Sequence, residues 1–180
     1  DEKLKDKISI ALSASSKTAG KTLGRTNTLI PNVGEDVMEC EIRELISSAL
    51  CEAAGTKNAF SSCGTRFANF LGEINYGDIY RLLPYEDTVC TLLLNFDECS
   101  QIVEEQLSRT DKRHAIYPWG LICEIDENNK IVNMKMPDST IFTKDKKLEF
   151  AFSSFALYGA GGRFPKLAEL AKKPECEFRN

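Results

Sequence analysis

The stretch Gly72-Glu73-Ile74-Asn75-Tyr76-Gly77-Asp78-Ile79-Tyr80-Arg81-Leu82-Leu83-Pro84-Tyr85 decides how the chain is read. Tyr76 to Leu83 has the apolar spacing of one short amphipathic helix, and Pro84, which cannot continue a helix, ends it. Upstream, Val37 to Ala54 is a stronger helix: Val37, Ile42, Leu45, Ile46, Ala49 and Leu50 recur at helical spacing, and Gly55 supplies a stop. Between the two, Asn58 to Cys63 reads as a short strand running into Gly64.

Downstream, Thr88 to Leu94 is apolar and partly β-branched, as a buried strand is, and Asp97 is placed to cap a helix reaching Leu107. Three further strands are expected at Ala115 to Ile125, Ile131 to Pro137 and Leu148 to Phe155. Glu127-Asn128-Asn129-Lys130 would be the hairpin turn between the first two. Pro165 to Lys172 reads as a last helix, with proline in its first turn. At the other end, Asp1 to Lys7 reads as a frayed lead-in and Ile8 to Leu12 as an edge strand or connector. Ser13 to Asn32 reads as loop, with one strand near Gly24 to Leu29. Helices and strands mix without βαβ repetition, which predicts an α+β fold with mixed sheet layers flanked by helices. The expected organisation is a lead-in over residues 1–35 and a single domain over 36–180.

With 180 residues, the chain is long enough for one full hydrophobic core. A net charge of -4 leaves no broad basic field of the kind duplex nucleic acid or an anionic membrane attracts, so neither is an expected partner. A single phosphate needs only one or two arginines and stays within reach. No apolar run approaches the ~18 residues of a membrane span.

The inventory of reactive side chains is thin. A site for two metal ions needs several His, Asp and Asn ligands, and the chain has one histidine, His114, with no partner motif. The same histidine would have to serve any Ser-His or Cys-His pair, and no Gly-x-Ser-x-Gly elbow is present. The seven cysteines include no Cys-x-x-Cys, so most read as small buried hydrophobes; disulfides are allowed if the protein is exported. Gly159-Ala160-Gly161-Gly162 lacks the Gly-Lys-Ser/Thr ending of a phosphate-binding loop and alone reads as a tight turn. No catalytic residue, metal ligand or cofactor is therefore expected in this chain.

Four segments taken together carry a more specific reading. They are Glu39 to Leu50, Ser61-Ser62-Cys63-Gly64-Thr65-Arg66, Gly72 to Tyr85, and Ser153-Ser154-Phe155-Ala156-Leu157-Tyr158-Gly159-Ala160-Gly161-Gly162. In order and spacing they resemble the C-terminal domain of the 5'-nucleotidase family, which includes the 2',3'-cyclic-nucleotide 2'-phosphodiesterases. The resemblance implies a substrate-recognition domain, with hydrolysis carried out by a separate N-terminal metallophosphoesterase domain that holds divalent metals. It further implies a small-molecule nucleotide or phosphoester ligand and a periplasmic or extracellular location. By position, Tyr85 and Phe155 would be the two aromatic walls around a base, and Arg66 the arginine on the phosphate side.

The chain also departs from the family pattern. Asp36-Val37-Met38 stands where an arginine is usual, Ser61 stands where the family has asparagine, and Gly161 (or Ala160 with the loop shifted by one) stands where it has aspartate. Arg25, Asp87 and Arg163 are the candidate replacements, Asp87 being placed among the substrate-binding residues. Two other readings remain open: a degenerate structural or protein-interaction domain that keeps the fold without nucleotide binding, and a self-sufficient enzyme using Cys63 or a serine.

Overall fold

The computed structural model describes residues 2–31, 40–62, 69–110, 112 and 114–179, with residues 178 and 179 described by backbone alone. In chain order the elements are α1 (Glu2–Ala19), β1 (Thr22–Ile30), α2 (Glu41–Ala54), β2 (Asn58–Ser61), β3 (Phe70–Asn75), α3 (Tyr76–Leu82), β4 (Val89–Asn95), α4 (Phe96–Leu107), β5 (Tyr117–Trp119), β6 (Ile122–Ile125), β7 (Ile131–Lys135), β8 (Lys147–Ser153), α5 (Ser154–Leu157), α6 (Pro165–Leu170) and β9 (Glu177–Arg179). The fold is α+β with mixed sheets.

The chain divides into two compact units, Asp1–Asn32 with Thr65–Glu86, and Val33–Gly64 with Asp87–Asn180. Residues 65–86 group with the N-terminal segment because β3 finds its partner in β1, far away in sequence.

In the first unit β1 and β3 pair antiparallel with two irregularities in register, and α1 packs along α3. The expected lead-in, connector and loop before Gly20 are instead one continuous helix with no buried residue. Nothing in that segment breaks a helix before Gly20: it lacks proline and glycine, and Ala11, Ala14 and Ala19 favour helix. The strand expected near Gly24 to Leu29 lies within β1. Asn75 begins α3 through a reciprocal capping box with Asp78, Asn75 Oδ1 accepting from the Asp78 amide at 3.0 Å and Asp78 Oδ2 from the Asn75 amide at 2.9 Å.

The second unit is built on a five-stranded sheet in the order β5-β2-β8-β4-β9, in which β2 and β8 are parallel and the other pairs antiparallel. Strand alternation gives its two faces different contents. Ala59 and Ala151 lie on one face with Cys51 of α2, and Leu50, Ala54 and Trp119 pack around them. These small side chains let the helix approach closely. Phe60, Phe150 and Phe152 point to the opposite face, each at most 1% exposed. The Phe60 ring lies 5.2 Å from that of Phe150 and 5.4 Å, nearly parallel, from that of Phe152. Burying each ring contributes roughly 2 to 3 kcal/mol, and each ring pair about 0.5 to 1.5 kcal/mol more, so this cluster is a main source of the unit's cohesion.

Three expected boundaries move. The cap of α4 is Asn95, two residues before Asp97: its Oδ1 accepts from the Glu98 amide at 3.0 Å, and Glu98 accepts in turn from the Asn95 amide at 2.9 Å. The strand expected over Ala115 to Ile125 is two strands parted at Gly120, whose φ of 80° turns the chain out of the sheet. There a Cβ would fall 2.5 Å from Lys57 O and 2.7 Å from Asn58 Oδ1, so only glycine fits against the start of β2. Finally, β8 stops at Ser153, which places Phe155 on α5 instead of in the strand.

The expected hairpin is present: β6 and β7 pair antiparallel, Asn129 takes a positive φ of 59°, and Asp126 Oδ1 accepts from the amides of Asn128 and Lys130, both at 2.8 Å. Among the described residues no helix is long and apolar enough to cross a membrane.

Candidate substrate-recognition surface

The richest cluster of expected site residues lies where β8 turns into α5. Ser153 Oγ caps the helix by accepting from the Ala156 amide at 3.3 Å. Ser154 stitches this corner to the segment entering β4. Its amide donates to Thr88 O at 2.8 Å, its Oγ accepts from the Thr88 amide at 3.1 Å, and the same hydroxyl donates to Asp87 Oδ1 at 3.3 Å. Asp87 is exposed, and Phe155, the next residue along α5, presents a ring that is 48% exposed. The exposed Phe155 thus follows directly on the serine whose hydroxyl holds the Asp87 carboxylate, on a backbone held by several hydrogen bonds.

Directly after α5, residues 159–162 all take positive φ, from 49° at Ala160 to 89° at Gly162. Gly159 passes so close to α6 that a Cβ would lie 2.9 Å from the Ala168 methyl. The Ala160 amide donates to Phe155 O at 2.9 Å, which ties the loop to the residue that carries the exposed ring. Gly161, expected to stand where the resembled family has aspartate, is exposed with open space at its Cβ position. Tyr158, three residues after Phe155, is 67% exposed and adds a second ring to this corner. Sequence reading did not single it out, although its i, i+3 spacing from Phe155 was available.

Tyr85 belongs to the first unit and is 68% exposed. Arg25, an alternative cation, lies exposed on β1 opposite Glu73. Arg163 has an exposed side chain, and its carbonyl accepts from Arg109 Nη1 at 2.7 Å. Arg66, Cys63 and Asp36 lie outside the described residues.

Ser61 has a structural role. Buried at 5% exposure, it pairs its hydroxyl with that of Ser47 on α2 at 2.6 Å, and its Oγ is 3.4 Å from Arg43 O. The pair joins α2 to β2. A separate concavity of about 620 Å³ is lined in part by Arg43, Lys57, Asn58, Trp119, Met136 and Asp138, and none of the expected site residues among the described ones borders it. Within it Asn58 Nδ2 donates to Glu149 O at 3.2 Å, while the buried Oδ1 has no hydrogen-bond partner among the described residues. Arg43, 7% exposed, donates from Nη1 to Pro118 O at 3.2 Å.

His114 sits in the turn before β5. No three His, Cys, Asp or Glu side chains converge as a metal-binding group among the described residues. The described cysteines are free thiols, and burial raises the pKa values of Cys90 and Cys123 to about 11. Cys90 and Cys123 are therefore poor nucleophiles near neutral pH.

Residues 19–169 match the family described as 5'-nucleotidase, C-terminal domain. Endonuclease YhcR of Bacillus subtilis is 26% identical over 116 residues, which cover 62% of this chain and 9% of that protein. The structure is similar to a 5'-nucleotidase precursor from Thermus thermophilus, with a TM-score of 0.75 and 17% identity over 92% of this chain and 35% of that one. It is also similar to the NAD nucleotidase of Haemophilus influenzae, with a TM-score of 0.69 and 15% identity over 99% of this chain and 36% of that one. The chain thus spans about a tenth of the curated relative and about a third of each solved chain. With most of its length matched and the same fold recurring in nucleotidases, the chain belongs to the 5'-nucleotidase C-terminal domain family.

Proposed function

We propose that this domain recognises a nucleotide or related phosphoester on behalf of a metal-dependent nucleotidase or cyclic phosphodiesterase. Hydrolysis falls to a separate N-terminal metallophosphoesterase domain carrying divalent metals, and the protein works in the periplasm or outside the cell. The observation that supports this reading is the β8–α5 corner, where Phe155 is exposed and Ser154, the residue before it, holds the exposed Asp87 carboxylate by a hydrogen bond. An exposed ring gains by stacking on a planar base, worth about 1 to 3 kcal/mol. A carboxylate accepts hydrogen bonds from ribose hydroxyls or from ring amines. Asp87 thus offers the acceptor that Gly161 lacks. Tyr85 offers a second exposed ring, and Arg66 the cation for phosphate.

Titration calorimetry of the chain against a panel of nucleosides and nucleotides, in wild type and in Phe155→Ala, Tyr85→Ala, Asp87→Ala and Arg66→Ala, tests the reading. Losing one ring should weaken binding roughly 5- to 150-fold, with Tm unchanged because both rings are exposed. Equal affinities in wild type and all four variants would exclude it. A second reading, a domain that keeps the fold as a structural or interaction partner, is favoured by the burial of Ser61 against Ser47. It gains if no member of the panel binds.

A further inference from the structure

Cys90 and Cys176 take no part in the recognition surface, yet the sheet brings them together. The register of β4 with β9 pairs Cys90 with Phe178 and Thr91 with Glu177, so the next position, Cys176, falls opposite Leu92. Residues two apart on a strand share a face, which puts Cys90 and Cys176 diagonally across neighbouring antiparallel strands on the same side of the sheet. The two thiols are close enough that the charge of Cys176 helps to raise the pKa of Cys90, after the larger effect of burial. Cys90 is fully buried, whereas Cys176 is partly exposed, which gives the pair an outer and an inner member.

Diagonal neighbours have Cα atoms about 7 to 8 Å apart. A disulfide wants them within about 6.8 Å, so closing the bond takes an inward shift of about 1 Å. Such a shift is open to β9, a three-residue strand at the edge of the sheet whose strand partner among the described residues is β4.

We propose that Cys90 and Cys176 form a disulfide in an oxidising compartment, fastening the C-terminal strand to the centre of the sheet. The oxidant is a low-molecular-weight disulfide such as glutathione disulfide. The Cys176 thiolate attacks one of its sulfurs and expels one glutathione as thiolate, which takes up a proton. Cys90, giving up its own proton, then attacks Sγ of Cys176 and expels the second glutathione. Two protein thiols lose two electrons and two protons, and one glutathione disulfide becomes two glutathione molecules. The staple closes a loop of most of the second unit, the kind of long loop whose closure most constrains an unfolded chain.

The test is to equilibrate the folded wild-type chain with glutathione disulfide, block the remaining thiols, and analyse it by intact mass and by non-reducing peptide mapping. The expected result is two fewer blocking groups than the fully reduced chain takes up, a linked peptide pair containing Cys90 and Cys176, a higher Tm that dithiothreitol reverses, and slower amide exchange over residues 177–179. Cys176→Ala should lose the linked peptide and the Tm gain, while Cys123→Ala keeps both. The proposal is overturned if both thiols remain free, if Cys176 halts as a mixed disulfide with glutathione, or if either cysteine is joined to a different one, with Trp119 fluorescence reporting a native second unit throughout.

Discussion

Replacing Gly120 by alanine tests how tightly β5 closes on β2. Two costs add. At φ 80° an alanine side chain crowds its own backbone, a penalty of about 1 to 2 kcal/mol. The new methyl would also sit 2.5 Å from Lys57 O, a backbone atom with no rotamer to change, and 2.7 Å from Asn58 Oδ1. Relieving that overlap in a packed region costs about 1 to 3 kcal/mol. Together they give about 2 to 5 kcal/mol, a large part of the 5 to 15 kcal/mol that typically holds a domain folded. Gly161→Ala is the matched control, since its φ of 67° carries the backbone penalty while nothing lies within 4 Å of its Cβ position. Urea titration followed by fluorescence of Trp119, the chain's single tryptophan and Gly120's neighbour, reads the second unit directly. A loss of about 3 kcal/mol at a slope of about 2 kcal/mol/M lowers the midpoint by about 1.5 M, and Gly161→Ala should fall less than half as far. Equal midpoints for the two variants would refute the steric argument.

Asn95→Ala removes the side-chain half of the α4 capping box, the Oδ1 acceptor for the Glu98 amide, and should cost about 1 kcal/mol in the same titration. Asp97→Ala, which breaks only the exposed pair with Lys144, should cost under about 0.5 kcal/mol; the reverse order would return the cap to Asp97. Ser47→Ala and Ser61→Ala each leave a buried hydroxyl short of a partner, at about 1 kcal/mol apiece, and the double variant should lose clearly less than the sum. Additive losses in that double-mutant cycle would show that the two hydroxyls do not bond. Stability should also fall as pH rises from about 9 toward about 11. Cys90 and Cys123 stay protonated in the folded chain up to about 11 but lose their protons near 9 once unfolded, so rising pH favours the unfolded state. Denaturation at pH 8, 9.5 and 10.5 checks this, and the decline should shrink when Cys90→Ala and Cys123→Ala are combined.

Elements whose partners lie nearby in sequence, or whose own pattern demands burial, were legible from residues alone. β4 and α4 follow from a β-branched apolar run and helical spacing, and the β6–β7 hairpin from its polar turn. β3 was not, because Phe70, Leu71 and Ile74 around Gly72 make little sense until β1, some fifty residues earlier, supplies the second strand. α1 was missed for the opposite reason: it buries nothing, so it carries no core-facing signal to read. The position of Phe155 turned on where β8 ends. That point is fixed by hydrogen bonds from Ser154 to Thr88, across a separation no local window spans. Asp87, Tyr85 and Phe155 are exposed. Ser61 is buried against Ser47, fourteen positions away, a contact hidden from local reading.

The two units interleave along the chain, one contributed by residues on both sides of a segment that belongs to the other. No single cut can therefore release either unit whole. A ribosome must pass residue 86 before the first unit has all its parts, with α2 and β2 already made and waiting for β8, still some sixty residues from synthesis. A fragment begun at residue 33 would keep β3 and α3 but strip β3 of its partner β1. It would bare a sheet edge of the kind that recruits other chains. Anyone trimming this domain for expression should keep residues 2–31 for the sake of residues 70–82.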